Sequence, residues 1–210
     1  MAGWTHFQGL AAGLPVENID TDQLIPARFM SAPRSAGYGG FLLHDLRHGP
    51  DGGLRPDFPL NSPEAQGASI LVARRNFGGG SSREAAVYAL VDAGFRAVIA
   101  PSYGDIFAGN AVNNRLLPAR VSEEDAERLL GAMPAVLSID LEALAITGPG
   151  GLRIGFALDP VWRLKLINGW DDIDLTRSHA ARIADFAQSR RATQPWLWPS
   201  RDPTSSPESG

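Results

Sequence analysis

At 210 residues with no cysteine, the chain is long enough for one domain whose core needs no covalent staples, and it has no disulfide, thiol nucleophile or thiolate metal site of its own. Hydrophobic residues make up 44% of it and charged residues 20%, the balance of a soluble globular protein, and a formal net charge of -4 offers no attractive field to nucleic acid or an anionic membrane. No apolar run approaches the roughly 20 residues that span a bilayer, and the opening MAGWTHFQGL lacks the basic and apolar regions of a signal peptide, so the cytoplasm is the expected compartment.

No internal repeat or heptad run organises the sequence. Residues 30 to 66 are rich in Gly, Pro and Asp with scattered aromatics and read as a long ordered loop, a length class that is usually functional inside a compact domain. ASILVARRNF, Ala68 to Phe77, has the length and β-branched content of a buried strand. SREAAVYALVDAGF, Ser82 to Phe95, reads as a helix with Ala86, Ala89, Leu90 and Ala93 at helical spacing and Gly94 where a C-terminal cap belongs. RAVIAPS, Arg96 to Ser102, follows as a second buried strand, so the three form a βαβ unit whose right-handed crossover puts both strands in one parallel sheet. Ser122 to Met133 opens with a capping serine and acids in its first turn and reads as a helix. Ala135 to Thr147 and Leu152 to Leu158 alternate as strands joined by the GPGG turn, Gly148 to Gly151. Asp174 to Ala192 reads as a final amphipathic helix with Leu175, Ile183 and Phe186 on its apolar side, and residues 200 to 210, polar and rich in Pro and Ser, read as a disordered tail.

Between the first strand and helix stands RNFGGGSSREAA, Arg75 to Ala86. Glycines admit positive φ and let a ligand approach the amides, while the following helix contributes about half a positive charge at its N-terminus. Arg83 adds a planar fork suited to a carboxylate, and Ser81 and Ser82 can cap the helix, donate to an anion or lose a proton. The same letters also describe an ordinary capping box of Ser81 with Glu84, and the residues alone leave both readings open. Neither a Walker loop nor a dinucleotide-binding fingerprint has this spacing.

NFGGGSSRE resembles the Asn-Phe-Gly-x-Gly-Ser-Ser-Arg-Glu signature of the aconitase superfamily's swivelling domain. NIDTDQLIPARF, Asn18 to Phe29, is similar to that family's Asp-Thr-Asp-x-Ile-Ile-Pro segment. APSYGDIFAGNAVNNRLLP, Ala100 to Pro118, is similar to its Asp-Ile-Phe-x-x-Asn-x-x-x-Asn-x-Leu-Leu-Pro segment. The resemblance covers roughly residues 5 to 195 in order and is nearest to the small subunits of bacterial 3-isopropylmalate dehydratases. It implies an α/β fold, a swivelling β/β/α domain with mixed sheets and flanking helices over residues 1–199. It also implies a hydro-lyase reaction on a small 2-hydroxy diacid, dehydration of 2-isopropylmalate followed by rehydration to 3-isopropylmalate. A [4Fe-4S] cluster held by the cysteines of a separate large subunit acts there as Lewis acid, with no cofactor bound by this chain.

Carried over by position, the resemblance makes Ser81 the base that removes a carbon-bound proton, with backbone amides and nearby cationic charge stabilising its alkoxide. It makes Arg83 the carboxylate clamp, with Ser82 and Gly80 beside it in the substrate-binding turn. Asp22 falls where the family places an acid near the substrate, which makes it a catalytic residue that orients the hydroxyl or a proton-relay partner, and the alternative for it is a loop-forming Asx turn. Arg34 sits near the position of a second substrate-binding arginine, and Asp20, Thr21, Asn110 and Asn114 hold the loops. Gly79 departs from the cysteine usual in these small subunits, and Ala85 from the histidine that usually follows Ser-Ser-Arg-Glu. These departures leave a paralogue for another malate-like diacid, or a non-catalytic module that binds carboxylates or stabilises a partner, as rival readings. His6, His44, His48 and His179 are scattered and predict no metal site. PWLWP, Pro195 to Pro199, predicts either core closure or a partner contact.

Overall fold

The computed structural model describes residues 3–198. Strand β1 (His6–Leu14) leads through a short helix α1 (Thr21–Leu24) into a segment of 3-10 turns and one helical turn, α2 (His44–Arg47). Then come β2 (Ile70–Ala73), α3 (Glu84–Asp92), β3 (Ala97–Ala100), α4 (Asp105–Asn113) and β4 (Leu117–Arg120). After these follow α5 (Glu123–Leu130), β5 (Ala135–Asp140), β6 (Ala145–Thr147), β7 (Arg153–Gly155), α6 (Pro160–Asn168), α7 (Asp172–Ser178) and α8 (Ala180–Thr193).

Among the described residues the strands form one 7-stranded mixed sheet in the order β4-β3-β2-β1-β5-β6-β7. β1 divides it, pairing parallel with β2 on one side and antiparallel with β5 on the other. The parallel half explains the apolar runs: every residue of β2 and β3 is buried, because helices cover both faces of a parallel sheet. Side chains alternate between the faces. Leu71, Ala73, Val98 and Ala100 join a cluster with Val87 and Leu90 of α3, whereas Ile70, Val72, Ala97 and Ile99 join a second with Ala126 and Leu129 of α5. Each fully buried Leu or Ile contributes roughly 1.5–3 kcal/mol over its exposed state. The antiparallel half is covered on one face: Leu137 and Ile139 of β5 are buried while Val136, which precedes them, is 51% exposed.

The predicted βαβ unit is present, with β2 and β3 parallel. Its helix ends as expected: Gly94 at φ +100° lets its own amide reach Val91 O and the Phe95 amide reach Leu90 O, the paired bonds of a Schellman cap. Ser122 caps α5 by accepting from the Asp125 amide. The GPGG turn joins β6 to β7 in antiparallel register.

Several expectations need correction. The strand expected over 68–77 is β2, which begins at Ile70 and stops at Ala73, because two arginines and then Asn76 at φ +57° leave the ladder. α3 starts at Glu84 with Arg83 at its N-cap and no side-chain cap, so the Ser81–Glu84 capping box is absent. Residues 135–147 make two strands: the Asp140 carboxylate accepts from the Glu142 and Ala143 amides at 2.8 Å each and turns the chain back. The final helix is two, broken at His179, with no buried face in either. Ile183 is 49% and Phe186 66% exposed. Apart from these corrections, contacts cluster in a unit ending at Asp171 and another beginning at Asp172, and the tail expected at 200–210 lies outside the described residues.

Candidate functional site

The signature turn leaves the carboxyl end of β2 and is anchored before it reaches the surface. Phe77 is fully buried, its ring edge-on to Phe107 at 5.5 Å, and its amide donates to Ser102 O at 3.0 Å. At Gly78, φ is +72° and the amide donates to Ile19 O at 2.6 Å. A Cβ there would lie 2.2 Å from the Phe107 ring, so the position requires glycine on both counts. Gly80, at φ +89°, and Ser81 and Ser82 are then exposed.

The DTD segment packs against this turn. Asp20 caps α1 reciprocally with Gln23, its carboxylate accepting from the Gln23 amide at 2.7 Å and its amide donating to Gln23 Oε1 at 2.9 Å. Thr21, 2% exposed, donates from its amide to Gly79 O at 3.0 Å and from its hydroxyl to Ser81 O at 2.8 Å. Asp22 forms an ion pair with Arg83, whose side chain is 21% exposed against 54% for the carboxylate. This pair aims the guanidinium more than it stabilises the fold, since ion pairs open to solvent contribute about 0–1 kcal/mol. The Asx-turn alternative for Asp22 is thereby replaced by a salt bridge, and it is Asp20 that caps.

Beyond these contacts the amides from Gly80 to Ala85 meet no acceptor among the described residues, and the Ser81 and Ser82 hydroxyls donate to none. Glu84 accepts from Asn114 Nδ2 at 2.8 Å, which fastens the start of α3 to the end of α4. A run of unpaired donors at the N-terminus of α3, flanked by a guanidinium, is an arrangement for a carboxylate or another oxyanion.

Of the residues singled out in the sequence, the structure brings Asp22, Gly80, Ser81, Ser82 and Arg83 together. Arg34 is seated elsewhere on α3: its guanidinium lies 3.6 Å over the Tyr88 ring and 3.7 Å from Asp92, roughly 6 and 12 Å along the helix from Glu84 at about 1.5 Å per residue. Burial first, then Glu84, pushes the Tyr88 hydroxyl up from its ordinary pKa. Gly79 has room for a small side chain only against Asn76, whose Oδ1 would lie 3.1 Å from a Cβ. Ala85 is half-buried against the cluster beneath α3.

Within the long segment, Phe29 stacks on Phe41 at 4.4 Å, Tyr38 is buried and Met30 is 40% exposed. The His44 and His48 rings stack at 4.2 Å, and His6 pairs with Asp140 at 3.0 Å. Among the described residues no group of three or more His, Cys, Asp or Glu side chains is placed to hold a metal ion, and no helix is long and apolar enough to cross a membrane. Trp196 is 72% exposed. The sequence reading treated Thr21 only as a loop former. Its one available signal, a hydroxyl between two acids facing the signature, gained meaning when the fold placed it under Ser81.

Comparison with known proteins places these features in a family. Residues 1–124 match the model of the aconitase C-terminal domain. The 3-isopropylmalate dehydratase small subunit of Sinorhizobium fredii is 48% identical over 200 residues, covering 93% of this chain and 100% of that protein. Small subunit 1 of Bordetella parapertussis is 45% identical over 210 residues, covering 94% and 97%. The crystal structure of 3-isopropylmalate dehydratase from Methanocaldococcus jannaschii matches with a TM-score of 0.62 at 23% identity, over 86% of this chain and 98% of that one, a likeness of fold. The chain belongs to the aconitase C-terminal domain family, in its branch of 3-isopropylmalate dehydratase small subunits.

Proposed function

We infer that this chain is the small subunit of a heteromeric hydro-lyase that interconverts 2-isopropylmalate and 3-isopropylmalate in leucine biosynthesis and acts only with its large subunit, in the cytoplasm. The observation that carries the reading is the run of unpaired amides from Gly80 to Ala85 beside the Asp22-aimed guanidinium of Arg83. A malate-like diacid offers what these donors lack, a carboxylate able to take the Arg83 fork. With Arg83 on the carboxylate, Ser82 donates to the same group, and Gly80 keeps the approach clear of any side chain.

Dehydration takes a proton from one carbon and the hydroxyl from its neighbour, and the C–H electron pair becomes the new π bond. Ser81 Oγ accepts that proton. A serine oxygen is basic only as an alkoxide, and the positive end of α3 with the Arg83 charge stabilises that form. Asp22 holds Arg83 in place throughout. With no cysteine in the sequence and no described group of metal ligands, this chain does not fit as holder of a [4Fe-4S] cluster, so the Lewis acid for the departing hydroxyl belongs to the large subunit.

The test mixes the chain with its anaerobically reconstituted large subunit and follows the alkene's ultraviolet absorbance with 3-isopropylmalate, citrate and methylated malates. Turnover of isopropylmalate that requires both chains is expected, and Ser81→Ala should lower kcat by roughly 10²–10⁴-fold while the chains still assemble. Turnover of another diacid alone, or an active Ser81→Ala pair, would overturn the assignment.

A further inference from the structure

We propose that Thr21 is a positioning residue of this site: by holding the carbonyls of Gly79 and Ser81 inward, it turns the Gly80 and Ser82 amides outward as a matched pair of donors for one negative oxygen of the substrate. The proposal rests on the hydro-lyase reading and adds to it the element that aims the donors.

The argument starts from the planarity of the peptide unit. In a trans peptide the C=O and N–H bonds lie in one plane and point in opposite directions, and the peptide bonds of this turn are trans, the cis bond among the described residues being Met133-Pro134. Gly79 C=O and Gly80 N–H therefore belong to one rigid plate, and Ser81 C=O and Ser82 N–H to another. Thr21 grips both plates at their carbonyl ends, with its amide on Gly79 O at 3.0 Å and its hydroxyl on Ser81 O at 2.8 Å. The opposite ends of the plates, Gly80 N–H and Ser82 N–H, then face away from Thr21. That side is the open one: Gly80 and Ser82 are exposed and neither amide has an acceptor among the described residues.

Each grip has support behind it. Thr21 is 2% exposed, so water does not compete for its hydroxyl. Asp20 fixes the backbone on one side through its capping box and a parallel bridge to Gly79. Asp22 fixes it on the other through Arg83. Gly80, at φ +89°, supplies the reversal between the plates that no β-carbon would allow without strain. Alternate plates whose carbonyls are held back present their amides forward on one side, as at a strand edge, with Gly80 bending the chain between them. Two amides facing one side bind an anion more tightly than either donor alone.

Thr21 touches no reacting atom, so its loss should act through the amide pair. Thr21→Val keeps the shape and the amide grip while removing the hydroxyl grip, freeing the Ser81–Ser82 plate to rotate. Removal of a single well-placed donor typically costs 10²–10³-fold in kcat, and a donor left in place but unaimed should cost less, about 10–100-fold. Thr21→Ser retains the hydroxyl and should stay within about threefold of the parent chain, whereas Thr21→Ala should fall with Thr21→Val. The measurements are kcat and KM of the reconstituted two-chain enzyme, complex formation by gel filtration, and the ¹⁵N–¹H shifts of the Gly80 and Ser82 amides of the full chain as malonate is added. The expected result is a fall in kcat for Val and Ala with assembly retained, rescue by Ser, and malonate-induced shifts at both amides that shrink at Ser82 in the Val variant. Unchanged kcat in Thr21→Val, or an equal loss in Thr21→Ser, would overturn the proposal. If the parent pair turns over none of the diacids, the hydro-lyase reading fails by itself. The amide shifts then decide Thr21's role: shifts at Gly80 and Ser82 that depend on the Thr21 hydroxyl uphold it, and their absence overturns it.

Discussion

Substituting three glycines by alanine separates two penalties that the signature turn combines. Gly94 has φ +100° and nothing within 4 Å of an added Cβ, so Gly94→Ala carries only the left-handed backbone cost of roughly 1–2 kcal/mol. At Gly78, φ is +72° and the added Cβ would meet the Phe107 ring at 2.2 Å. Phe107 is 3% exposed and bears on Phe77, so it has no free space to enter, and overpacking adds roughly 1–3 kcal/mol. Gly78→Ala should therefore lose about 2–5 kcal/mol, or roughly 4–20 °C in Tm at about 2–4 °C per kcal/mol for a chain of this size. Gly109, inside α4 with nothing within 4 Å, has neither penalty, and Gly109→Ala should gain up to about 1 kcal/mol from helix propensity. Urea and thermal unfolding of the three variants provide the check. A Gly78→Ala chain no less stable than Gly94→Ala would mean that Phe107 swings aside at no cost, and that the turn is not braced from below.

Arg83→Lys keeps the charge but loses the two-pronged geometry, so KM for the diacid should rise by about tenfold or more in steady-state assays of the two-chain enzyme, with assembly intact. Asp45 has its pKa lowered from 3.8 to about 2, first by the hydrogen bond from Arg28. A depressed carboxyl favours the fold above its ordinary range, and that contribution is lost as pH falls through about 2. Arg28→Ala should return the Asp45 midpoint to the ordinary carboxylate range in a ¹³C-detected titration. Gly79→Cys places its Cβ 3.1 Å from Asn76 Oδ1. Because Asn76 is exposed and can yield, the variant should unfold within about 1 kcal/mol of the parent chain.

Apolar runs revealed β2 and β3 because burial on both faces leaves no polar positions in them. They were silent on β4 and on β1, whose HFQGLAAGL has two glycines and little branching, so pairing on both edges, and not propensity, makes β1 a strand. α6 did carry a start signal, Asp159 before Pro160, and the Asp159 carboxylate accepts from the Val161 and Trp162 amides. The site was legible as letters: Asp22, Ser81, Ser82 and Arg83 were named from the resemblance, and the fold brings them together. The placement of Arg34 was not legible, since a loop of short turns has no period to fix its register, and the structure seats it on Tyr88 and Asp92. The unpaired amides could not be seen at all, because the backbone donors of a turn are independent of its side-chain letters.

The proposed function makes those amides a link between catalysis and assembly. Left in water, the donors from Gly80 to Ala85 cost nothing, but covering any one of them without an acceptor costs roughly 1–3 kcal/mol. A large subunit that closes over the turn must therefore trap water there or close upon an anion. Under the proposed function the substrate diacid supplies that anion, so the closed pair should form more readily when the diacid is present. Linkage makes the effect reciprocal: whatever factor the diacid adds to the affinity between the chains, the large subunit adds to the affinity for the diacid. A coupling of about 1–3 kcal/mol, or 5–150-fold, is expected, and analytical ultracentrifugation of the two chains with and without a saturating non-reactive dicarboxylate would measure it. In Arg83→Ala the coupling should largely disappear, because the anion is no longer held where the interface closes. Equal inter-chain Kd values with and without the dicarboxylate would show that the interface forms clear of the turn and that closure leaves the amides in water.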